Sequence, residues 1–381
     1  MYIYERPDWP EFKYSINEIL NLLIEVKNLQ GRLVGRMGAL GFDLKENANL
    51  AILTQEVLRS SEIEGQLLDP EQVRSSIVRQ LGLDISELVP SDRNTDGVVE
   101  MTIDATVNFN KPLSKQRLLS WHNALFPTGY SGMHKILAGK LRDDLQGPMQ
   151  VVSGPIGKEK IHYEAPPSGR LEKELKKFIE WFNRDQEYDM VIKAALAHLW
   201  FVTLHPFEDG NGRIARVITD MVLARSDRQS YRLYSMSTQI RNERKQYYDI
   251  LELTQKGDLD ITKWLQWFLY CLLNALKSSN TILKKVLFKH KFWTDNASMI
   301  ENERQRKILN KLLDGFEGKL TSSKWAKITK CSQDTALRDI NDLIDKKILY
   351  RLPEGGRSTA YDLISNTMAD AVSINGNPKT G

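Results

Sequence analysis

Apolar residues recur along most of this chain at helical spacing, so the sequence predicts a mostly α-helical fold. Residues 190–204 are almost continuously apolar, a run that is too long for an ordinary strand and too short to span a bilayer. Helical spacing returns at Ile214, Val217, Ile218, Met221 and Val222. These two segments predict two buried helices that are joined by a short polar turn at 205–213.

The first part of the chain also carries helical patterns. Residues 16–29 combine apolar and polar positions as an amphipathic helix does. A second helix is predicted from about 48 to 63, and Gly65 provides its C-terminal stop. The aromatic and proline residues at 9–12 predict an anchoring segment ahead of both helices. Turn-forming residues at 86–97 predict a linker or long loop.

The middle of the chain shows a β-type pattern between 141 and 167. Residues 150–152 and 161–163 are short β-prone pieces, and the stretch between them contains glycine and proline. Two such pieces around a turn predict a hairpin, which the alanine and prolines at 165–167 end.

The last part of the chain predicts a separate module. Helices are predicted at 304–313, 322–328 and 335–347, and β-prone segments at 348–350 and 359–363 flank a glycine-rich turn at 353–357. This order resembles a winged helix-turn-helix domain. Its charges are mixed rather than clearly basic, so the sequence favours protein contact or dimer formation over DNA binding. Residues 366–381 are expected to form a flexible tail.

Composition narrows the class of protein. The 381 residues are 41% hydrophobic and 27% charged, which is ordinary for a soluble globular chain of two or three domains. A formal charge of +4 does not by itself indicate nucleic acid. Cys271 and Cys331 lie in unrelated segments, which argues against a disulfide framework or a zinc site. With no apolar signal core at the start of the chain, we expect a cytoplasmic location and no membrane partner.

The polar turn carries the residues of an anion site. Gly210 and Gly212 have no Cβ, so backbone N–H groups there can approach a ligand closely. The following helix begins near Gly212, and helix N-termini bind anions through free N–H groups and the positive end of the dipole. Arg213 and Arg216 share a helix face and add two forked donors that suit phosphate oxygens. No Walker-type phosphate loop is present.

Three further side chains complete the chemistry of the turn. Asp209 is a hard oxygen ligand beside the anion site, as magnesium bridging phosphates would require. Asn211 can donate its amide to a charged oxygen, and His205 can accept a proton near neutral pH. A base, a metal carboxylate and a phosphate cradle together predict attack by a hydroxyl on a nucleotide phosphate.

The stretch His-Pro-Phe-Glu-Asp-Gly-Asn-Gly-Arg at 205–213, with Arg216 three residues on, is similar to the Fic family signature at every position. Most Fic proteins transfer AMP from ATP to a Ser, Thr or Tyr hydroxyl of a target protein. The related Doc kinases have lysine in place of the second loop glycine. Gly212 therefore favours nucleotidyl transfer over phosphorylation.

The resemblance implies a role for each residue of the turn. His205 would be the general base and Asp209 the ligand of a Mg²⁺ ion that accompanies ATP. Asn211 would contact the α-phosphate. The rest of the ATP site would consist of an anion-binding nest, Gly210, Gly212 and Arg213, and of Arg216 on the γ-phosphate.

A second motif lies upstream, at the end of the helix predicted at 48–63. Ser60, Glu64 and Gly65 have the Ser-x-x-x-Glu-Gly spacing of Fic proteins that carry their own inhibitor. In those proteins the glutamate forms a salt bridge with the second signature arginine, here Glu64 with Arg216, and ATP binds unproductively. The alternative is that Glu64 is a solvated carboxylate at the end of a helix.

The resemblance also gives meaning to the hairpin and to a pair of tyrosines. Fic domains have a flap that pairs with the backbone of the target, here Ile161, His162 and Tyr163. His162 is a lesser candidate for the base because no anion cradle lies near it in sequence. Tyr247 and Tyr248 resemble residues that face adenosine, with core packing as the alternative for Tyr248.

Together these features predict a self-inhibited adenylyltransferase, with ATP, a hydroxyl-bearing target protein and a second copy of the chain as partners. Three alternatives stay open: removal of AMP from a modified protein, a DNA-binding regulator whose Fic domain senses nucleotide, and transfer of another phosphate-linked group. The predicted domains are N-terminal helical at 1–95, catalytic at 96–285, winged-helix-like at 300–365 and a tail at 366–381.

Overall fold

The computed structural model describes residues 1–85, 88–155, 157–184, 188–300, 302–316, 318–352 and 359–364. Helices make up 64% of the structure, and the strands form small sheets only, so the prediction of a mostly α-helical fold is confirmed. The chain divides into two compact units, Met1–Leu283 and Lys284–Gly381. The predicted region 1–95 therefore lies in the first unit, as does the predicted region 96–285 apart from its last two residues.

The first unit consists mainly of helices. In chain order they are α1 Ile16–Gly38, α2 Phe42–Ile63, α3 Pro70–Leu81, α4 Arg93–Val107 and α5 Lys115–Leu125. They continue as α6 Ser168–Asn183, α7 Met190–Leu204, α8 Asn211–Asp227, α9 Met236–Asn242, α10 Arg244–Gln255 and, as far as Leu283, α11 Thr262–Asn296. A short 3-10 turn, Ile3–Glu5, precedes α1.

The core of this unit is the pair α7 and α8, which pack against each other. Every residue of α7 after Met190 is buried, as expected for a helix that is apolar on all sides. The Asp189 carboxylate caps its start by accepting a hydrogen bond from the Val191 N–H. Helix α7 ends at Leu204, immediately before the polar turn, as the apolar run predicted.

Other helices extend or correct the predicted boundaries. Helix α1 continues to Gly38, and α2 begins at Phe42 rather than near residue 48. The linker predicted at 86–97 is wrong for its second half, because α4 begins at Arg93. Asp92 caps α4 by accepting from the Thr95 N–H at 2.7 Å. Turn-forming residues are also good helix N-caps, so their clustering did not separate a loop from a helix start.

Two antiparallel hairpins lie between α5 and α6. Strands β1 Tyr130–Ser131 and β2 His134–Lys135 form the first, and β3 Gln150–Ser153 and β4 Lys160–Glu164 form the second, which confirms the predicted hairpin. The register of the second hairpin shifts between Val151 and Val152, which pair with Tyr163 and Ile161. His162 is thus the extra residue of a β-bulge.

The second unit has its own hydrophobic core. Its further elements are α12 Glu303–Gly315, β5 Leu320–Thr321, α13 Ser322–Thr329, α14 Gln333–Asp345, β6 Leu349–Arg351 and β7 Ala360–Leu363. The sheet order is β5-β7-β6, with antiparallel pairing. Buried Trp325, Ile340 and Leu343 contribute to the core. The winged helix-turn-helix assignment stays a prediction, and its turn at 353–357 and the tail at 366–381 lie outside the described residues.

Within the described parts of the chain, no helix combines the length and the apolarity that crossing a membrane requires.

A close contact between α4 and α5 makes the fold sensitive to one glycine. A Cβ at Gly97 would lie 1.8 Å from the backbone oxygen of Ala124, so we expect Gly97→Ala to destabilise the protein by about 1–3 kcal/mol through overpacking. The matched change Gly31→Ala, in α1, meets nothing within 4 Å and should stabilise by about 0.5–1 kcal/mol. Urea unfolding of both variants measures the difference in the free energy of unfolding. Equal stabilities would contradict the close contact between α4 and α5.

Candidate active site

The turn between α7 and α8 is built by two residues with positive φ. His205 ends α7 with φ 48° and ψ 56°, and Gly210 precedes α8 with φ 80°. A Cβ at Gly210 would lie 2.9 Å from the ring of Phe126, so glycine is required there by space as well as by backbone conformation. The Ile214 N–H bonds to the Gly210 carbonyl at 3.0 Å. The N–H groups of 211–213 thus precede the first helical hydrogen bond and form an anion-binding helix start.

Arg213 and Arg216 place two buried guanidinium groups at this helix start. Arg213 lies 5.0 Å from the centre of the Phe126 ring, and its Nη1 donates to Gln66 Oε1 at 2.9 Å. Among the described residues, Nε of Arg213 and Nη1 of Arg216 are buried without a hydrogen-bond partner. Burial lowers the pKa of Arg213, against the attraction of nearby carboxylates. Two orphaned cationic donors are what a phosphate group would satisfy.

Helix α2 brings a carboxylate to the same point. Glu64 Oε1 accepts a hydrogen bond from Arg216 Nη2 at 2.8 Å. The hydroxyl and the carbonyl of Ser60 accept from Arg216 Nε and Nη2, both at 2.9 Å. Gly65, with φ 80°, lets the chain turn away after Glu64. The structure therefore places Ser60 and Glu64 around Arg216, at the spacing that the sequence showed.

Gly212 is the residue that allows this approach. A Cβ at Gly212 would lie 2.2 Å from Glu64 Oε1. The carboxylate thus occupies the space directly over the first turn of α8. Burial lowers the pKa of Arg216, but the Glu64 carboxylate and nearby tyrosines raise it, and the net shift is upward. Glu64 lies where an anion bound at this helix start would lie.

His205 presents a neutral imidazole to the turn. Its Nδ1 lies 3.2 Å from the Val202 carbonyl oxygen, which only a protonated nitrogen can satisfy, so Nε2 keeps its lone pair. Burial, and to a smaller extent the charge of Arg142, lower the pKa of His205 to about 4. The side chain is therefore unprotonated at neutral pH and able to accept a proton at Nε2.

Asp209 fits a magnesium ion that is shared with phosphate. Its carboxylate is 42% exposed and lies 3.7 Å from Arg213 Nη2. Ser131 donates a hydrogen bond to Oδ2, and the Gly210 N–H donates to Oδ1. The described residues contain no group of three or more side chains that could hold a metal by themselves. Magnesium is commonly held by one or two carboxylates and substrate phosphates, so this donor set fits the predicted role.

Comparison with known proteins identifies the domain that contains this turn. Residues 112–223 match the Fic/DOC family, and residues 2–83 match a domain of unknown function, DUF4172. The chain contains a Fic/DOC domain. The turn at 205–213 lies inside the matched range.

Relatives of the Fic domain carry the name protein adenylyltransferase Fic. The protein from Culex quinquefasciatus is 26% identical over 209 residues, which is 54% of this chain and 37% of that protein. The protein from Drosophila grimshawi is 35% identical over 96 residues, 25% of this chain and 19% of that protein. The chain thus matches well under half the length of these relatives.

A solved structure shares the fold over most of the chain. The crystal structure of a Fic family protein from Desulfovibrio desulfuricans G20 matches with a TM-score of 0.51 and 19% identity. The match covers 91% of this chain and 95% of that one. The Fic fold is therefore shown for this protein beyond the signature turn itself.

Asn211 braces the Fic turn through its side-chain amide. Its side-chain Oδ1 accepts from the Phe207 N–H at 3.0 Å, and its Nδ2 donates to the Phe207 carbonyl at 2.8 Å. The residue is buried. Nδ2 carries two hydrogens, and Phe207 takes one of them, so the contact of this side chain with the α-phosphate stays a prediction.

The two tyrosines of α10 differ in exposure. Tyr247 is only 2% exposed, and its hydroxyl bonds to Nε2 of buried His198 at 2.9 Å. The prediction that Tyr247 is the better match to an adenosine-facing residue is corrected, since its ring lies in the core. Tyr248 keeps part of its ring accessible, with the Arg244 guanidinium 5.1 Å from its centre. Tyr248 is the remaining candidate to stack on a base.

Of the three hairpin residues predicted to meet a target, one is exposed and two are tethered. Ile161 is 44% exposed. Tyr163 is buried and donates its hydroxyl to the Thr203 carbonyl at 2.6 Å, so it anchors the hairpin rather than meeting a target. His162 bonds to Glu252 at 2.5 Å and to Ser153 at 2.6 Å. With both ring nitrogens engaged, His162 is no candidate for the base.

Sequence reasoning missed two residues that hold the Fic turn from outside the signature. His122 donates from Nε2 to the Asp209 carbonyl at 3.2 Å, accepts from the Gly139 N–H at Nδ1, and stacks on Phe207 at 4.1 Å. Arg142 bonds to the carbonyl of His205 at 2.7 Å. Both lie more than sixty residues before the turn, and no local pattern marks them.

Acid should destabilise the protein through buried neutral imidazoles. Burial lowers the pKa of His122 and His205 to about 4 and that of His198 to about 3. The unfolded chain, with an ordinary histidine pKa of about 6.5, takes up these protons first. The contribution of these neutral imidazoles to the free energy of unfolding is therefore fully present above about pH 6.5. It is lost as the pH drops through the folded-state pKa values.

Urea unfolding at several pH values between 7 and 4 measures this loss. We expect His205→Gln to reduce the slope of the free energy of unfolding against pH. The reduction should be up to about 1.4 kcal/mol per pH unit, the effect of one proton. His134 is exposed, so His134→Gln is the matched control and should leave the slope unchanged. Equal slopes in all three proteins would show that folding does not lower the pKa of His205.

Proposed function

We propose that this protein is an adenylyltransferase that moves AMP from ATP to a hydroxyl side chain of a target protein, and that Glu64 keeps it inactive. The observation that carries the proposal is the shared position of three groups at one helix start. Two buried arginines with unpaired donors and an ion-paired carboxylate meet at the first turn of α8, and a neutral imidazole lies in the turn that leads into this helix. The relatives named protein adenylyltransferase support the same chemistry.

The mechanism follows from the donors at the turn. The phosphates of ATP bind to the free N–H groups of 211–213 and to the unpaired donors Arg213 Nε and Arg216 Nη1. Nε2 of His205 accepts the proton of the target hydroxyl, whose oxygen forms the new bond to the α-phosphorus. The bond from the α-phosphorus to the bridging oxygen breaks, and pyrophosphate leaves. Magnesium, when bound at Asp209, neutralises charge on the phosphate oxygens.

Inhibition follows from competition for Arg216. In the structure the Glu64 carboxylate holds Nη2 of Arg216 and fills the space above Gly212. A phosphate oxygen in the same place would meet a like charge in a largely dehydrated site, which strongly disfavours it. Productive ATP binding therefore requires the end of α2 to withdraw Glu64 from Arg216.

The target is proposed to pair with the hairpin at 150–164. Val152 and Ile161 are its exposed apolar residues, and strand addition to such an edge binds the backbone of a partner. Tyr163 fixes the base of the hairpin to α7 through the Thr203 carbonyl. The paired target strand would thus be held at a fixed distance from the turn at 205–213.

Glu64→Gly should raise transfer of AMP onto the protein's own chain by about tenfold or more, the effect of removing roughly 1.4 kcal/mol of competing interaction. Incorporation of label from α-labelled ATP measures it. Glu46→Gly changes the same helix away from Arg216 and controls for a weakened α2. Label transferred from the γ position would indicate a kinase instead.

Unchanged incorporation by Glu64→Gly would remove the inhibition model. A second candidate function, removal of AMP, is favoured by the position of Glu64, which could orient a water beside the phosphate site. The AMP-modified protein, produced with Glu64→Gly, can be offered to the unmodified wild type. Release of AMP by the wild type but not by Glu64→Gly would favour removal over transfer.

His205→Ala, made together with Glu64→Gly, should lower transfer by about 10²–10⁴-fold, the usual contribution of a general base. ATP affinity, measured by calorimetry, should stay within about twofold, because the phosphate donors belong to α8. Transfer near the level of the Glu64→Gly parent would place the base elsewhere.

A further inference from the structure

We propose that Arg142 is a positioning residue for His205: its guanidinium holds the backbone turn that carries the imidazole and ties that turn to the end of the hairpin at 150–164. The inference deepens the proposed function and rests on it where it treats His205 as the base. The contacts of Arg142 with the turn and with the hairpin carry it.

The backbone of His205 needs an outside constraint. With φ 48° and ψ 56° it is a left-handed residue with a side chain, and Pro206 follows it. Such a conformation costs a non-glycine residue about 1–2 kcal/mol. It persists only where surrounding contacts hold it, and such residues concentrate at functional sites.

Arg142 supplies this constraint from both sides of the His-Pro bond. Its Nε donates to the His205 carbonyl at 2.7 Å, and its backbone N–H donates to the Pro206 carbonyl at 3.0 Å. Arg142 is only 4% exposed, so water does not compete strongly for these bonds. Two successive carbonyls of the turn are thus fixed by one residue, 63 positions earlier in the chain.

The other end of the guanidinium bonds to the segment that follows the hairpin. Nη2 donates to the Pro166 carbonyl at 2.5 Å, two residues after β4 ends. Nη1 donates to Asp144 Oδ1 at 2.7 Å, and Asp144 Oδ2 accepts from the Ser168 N–H at the start of α6. Only a planar group with several diverging donors can join three acceptors in this way, which lysine cannot do.

The consequence concerns the distance between the two reactants. In the proposed mechanism the hairpin holds the target strand and His205 takes the proton of the target hydroxyl. Arg142 connects the hairpin and the turn of His205 to one rigid guanidinium group. The distance between the target hydroxyl and the imidazole is therefore kept constant. Proton transfer requires the two groups within hydrogen-bond reach, and an error of about 1 Å can cost about a hundredfold in rate.

The kinetic test uses Glu64→Gly as the parent. Arg142→Gln should lower the rate constant for transfer by about 100-fold, while the ATP concentration that gives half the maximal rate changes less than about twofold, because the phosphate donors remain. Arg142→Lys, which keeps the charge but not the fork, should give an intermediate loss. An unchanged rate constant, or a loss that saturating ATP restores, overturns the proposal.

Arg117→Gln is the matched control. Arg117 also joins separate parts of the backbone, through Asp104 Oδ2 at 2.7 Å and the carbonyls of Lys111 and Asn108 at 3.1 and 3.2 Å. None of the hydrogen bonds that the structure describes for Arg117 involves the turn at 205–213. Its replacement should lower stability without lowering the rate constant more than about twofold. An equal loss in both variants would assign Arg142 a merely structural role.

A spectroscopic readout works whether or not the protein transfers AMP. Long-range proton–nitrogen NMR spectra of ¹⁵N-histidine protein report the tautomer of each imidazole, and His205→Gln identifies the His205 signals. We expect one tautomer with the proton on Nδ1 in the parent and in Arg117→Gln, and a mixture in Arg142→Gln, where the turn can relax. An unchanged His205 signal in Arg142→Gln overturns the proposal.

These readouts separate the possible failures. A parent with no transfer refutes the proposed function and leaves the His205 spectrum to decide the role of Arg142. If Arg142→Gln does not fold, Arg142→Lys and Asp144→Asn give the same readouts, since Asp144 holds the far side of the guanidinium. A mixture of His205 tautomers in either variant, smaller than the one expected for Arg142→Gln, supports the proposal. His205 spectra identical to that of the parent in both variants refute it.

Discussion

A buried cation at the start of a helix is the constraint on which this structure depends. Arg216 is 2% exposed and lies where the free N–H groups of α8 already favour negative charge. Such a site needs an anion, and removing the one it has leaves an uncompensated charge in a medium that solvates it poorly. In the structure that anion is the Glu64 carboxylate. The same requirement would be met by a phosphate, so in the proposed mechanism this site has two mutually exclusive states.

The packing of the helices around this site explains why its two arginine side chains are shielded from water. Helix α7 is buried on every side, and α8 packs along it, so the side chains of Arg213 and Arg216 at the start of α8 are buried. Burial disfavours the charged form of both kinds of nitrogen there. It keeps His205 neutral, whereas Arg213 and Arg216 stay charged, with unpaired donors, because a guanidinium is a much stronger base than an imidazole. The proposed base and the proposed phosphate site can therefore coexist within one turn.

The turn itself is held by two residues from distant parts of the chain and by one of its own. His122 fixes the carbonyl of Asp209, Arg142 fixes that of His205, and Asn211 closes the turn onto Phe207. Each is buried, and each bonds to the backbone of the turn. Rigid support of this kind lets a short turn carry several functional groups at fixed distances.

Local patterns in the sequence determined the elements that carry the site. Apolar spacing defined α7 and α8, glycine and arginine chemistry marked the turn between them, and the spacing of Ser60 and Glu64 placed both on one helix face. Tertiary structure decided the rest: that α4 begins at Arg93, that Tyr247 and Tyr163 are buried, and that Arg142 reaches His205. Spacing along one element records which residues share a face. Which distant backbone that face meets depends on how all the helices pack, and no local pattern contains that information.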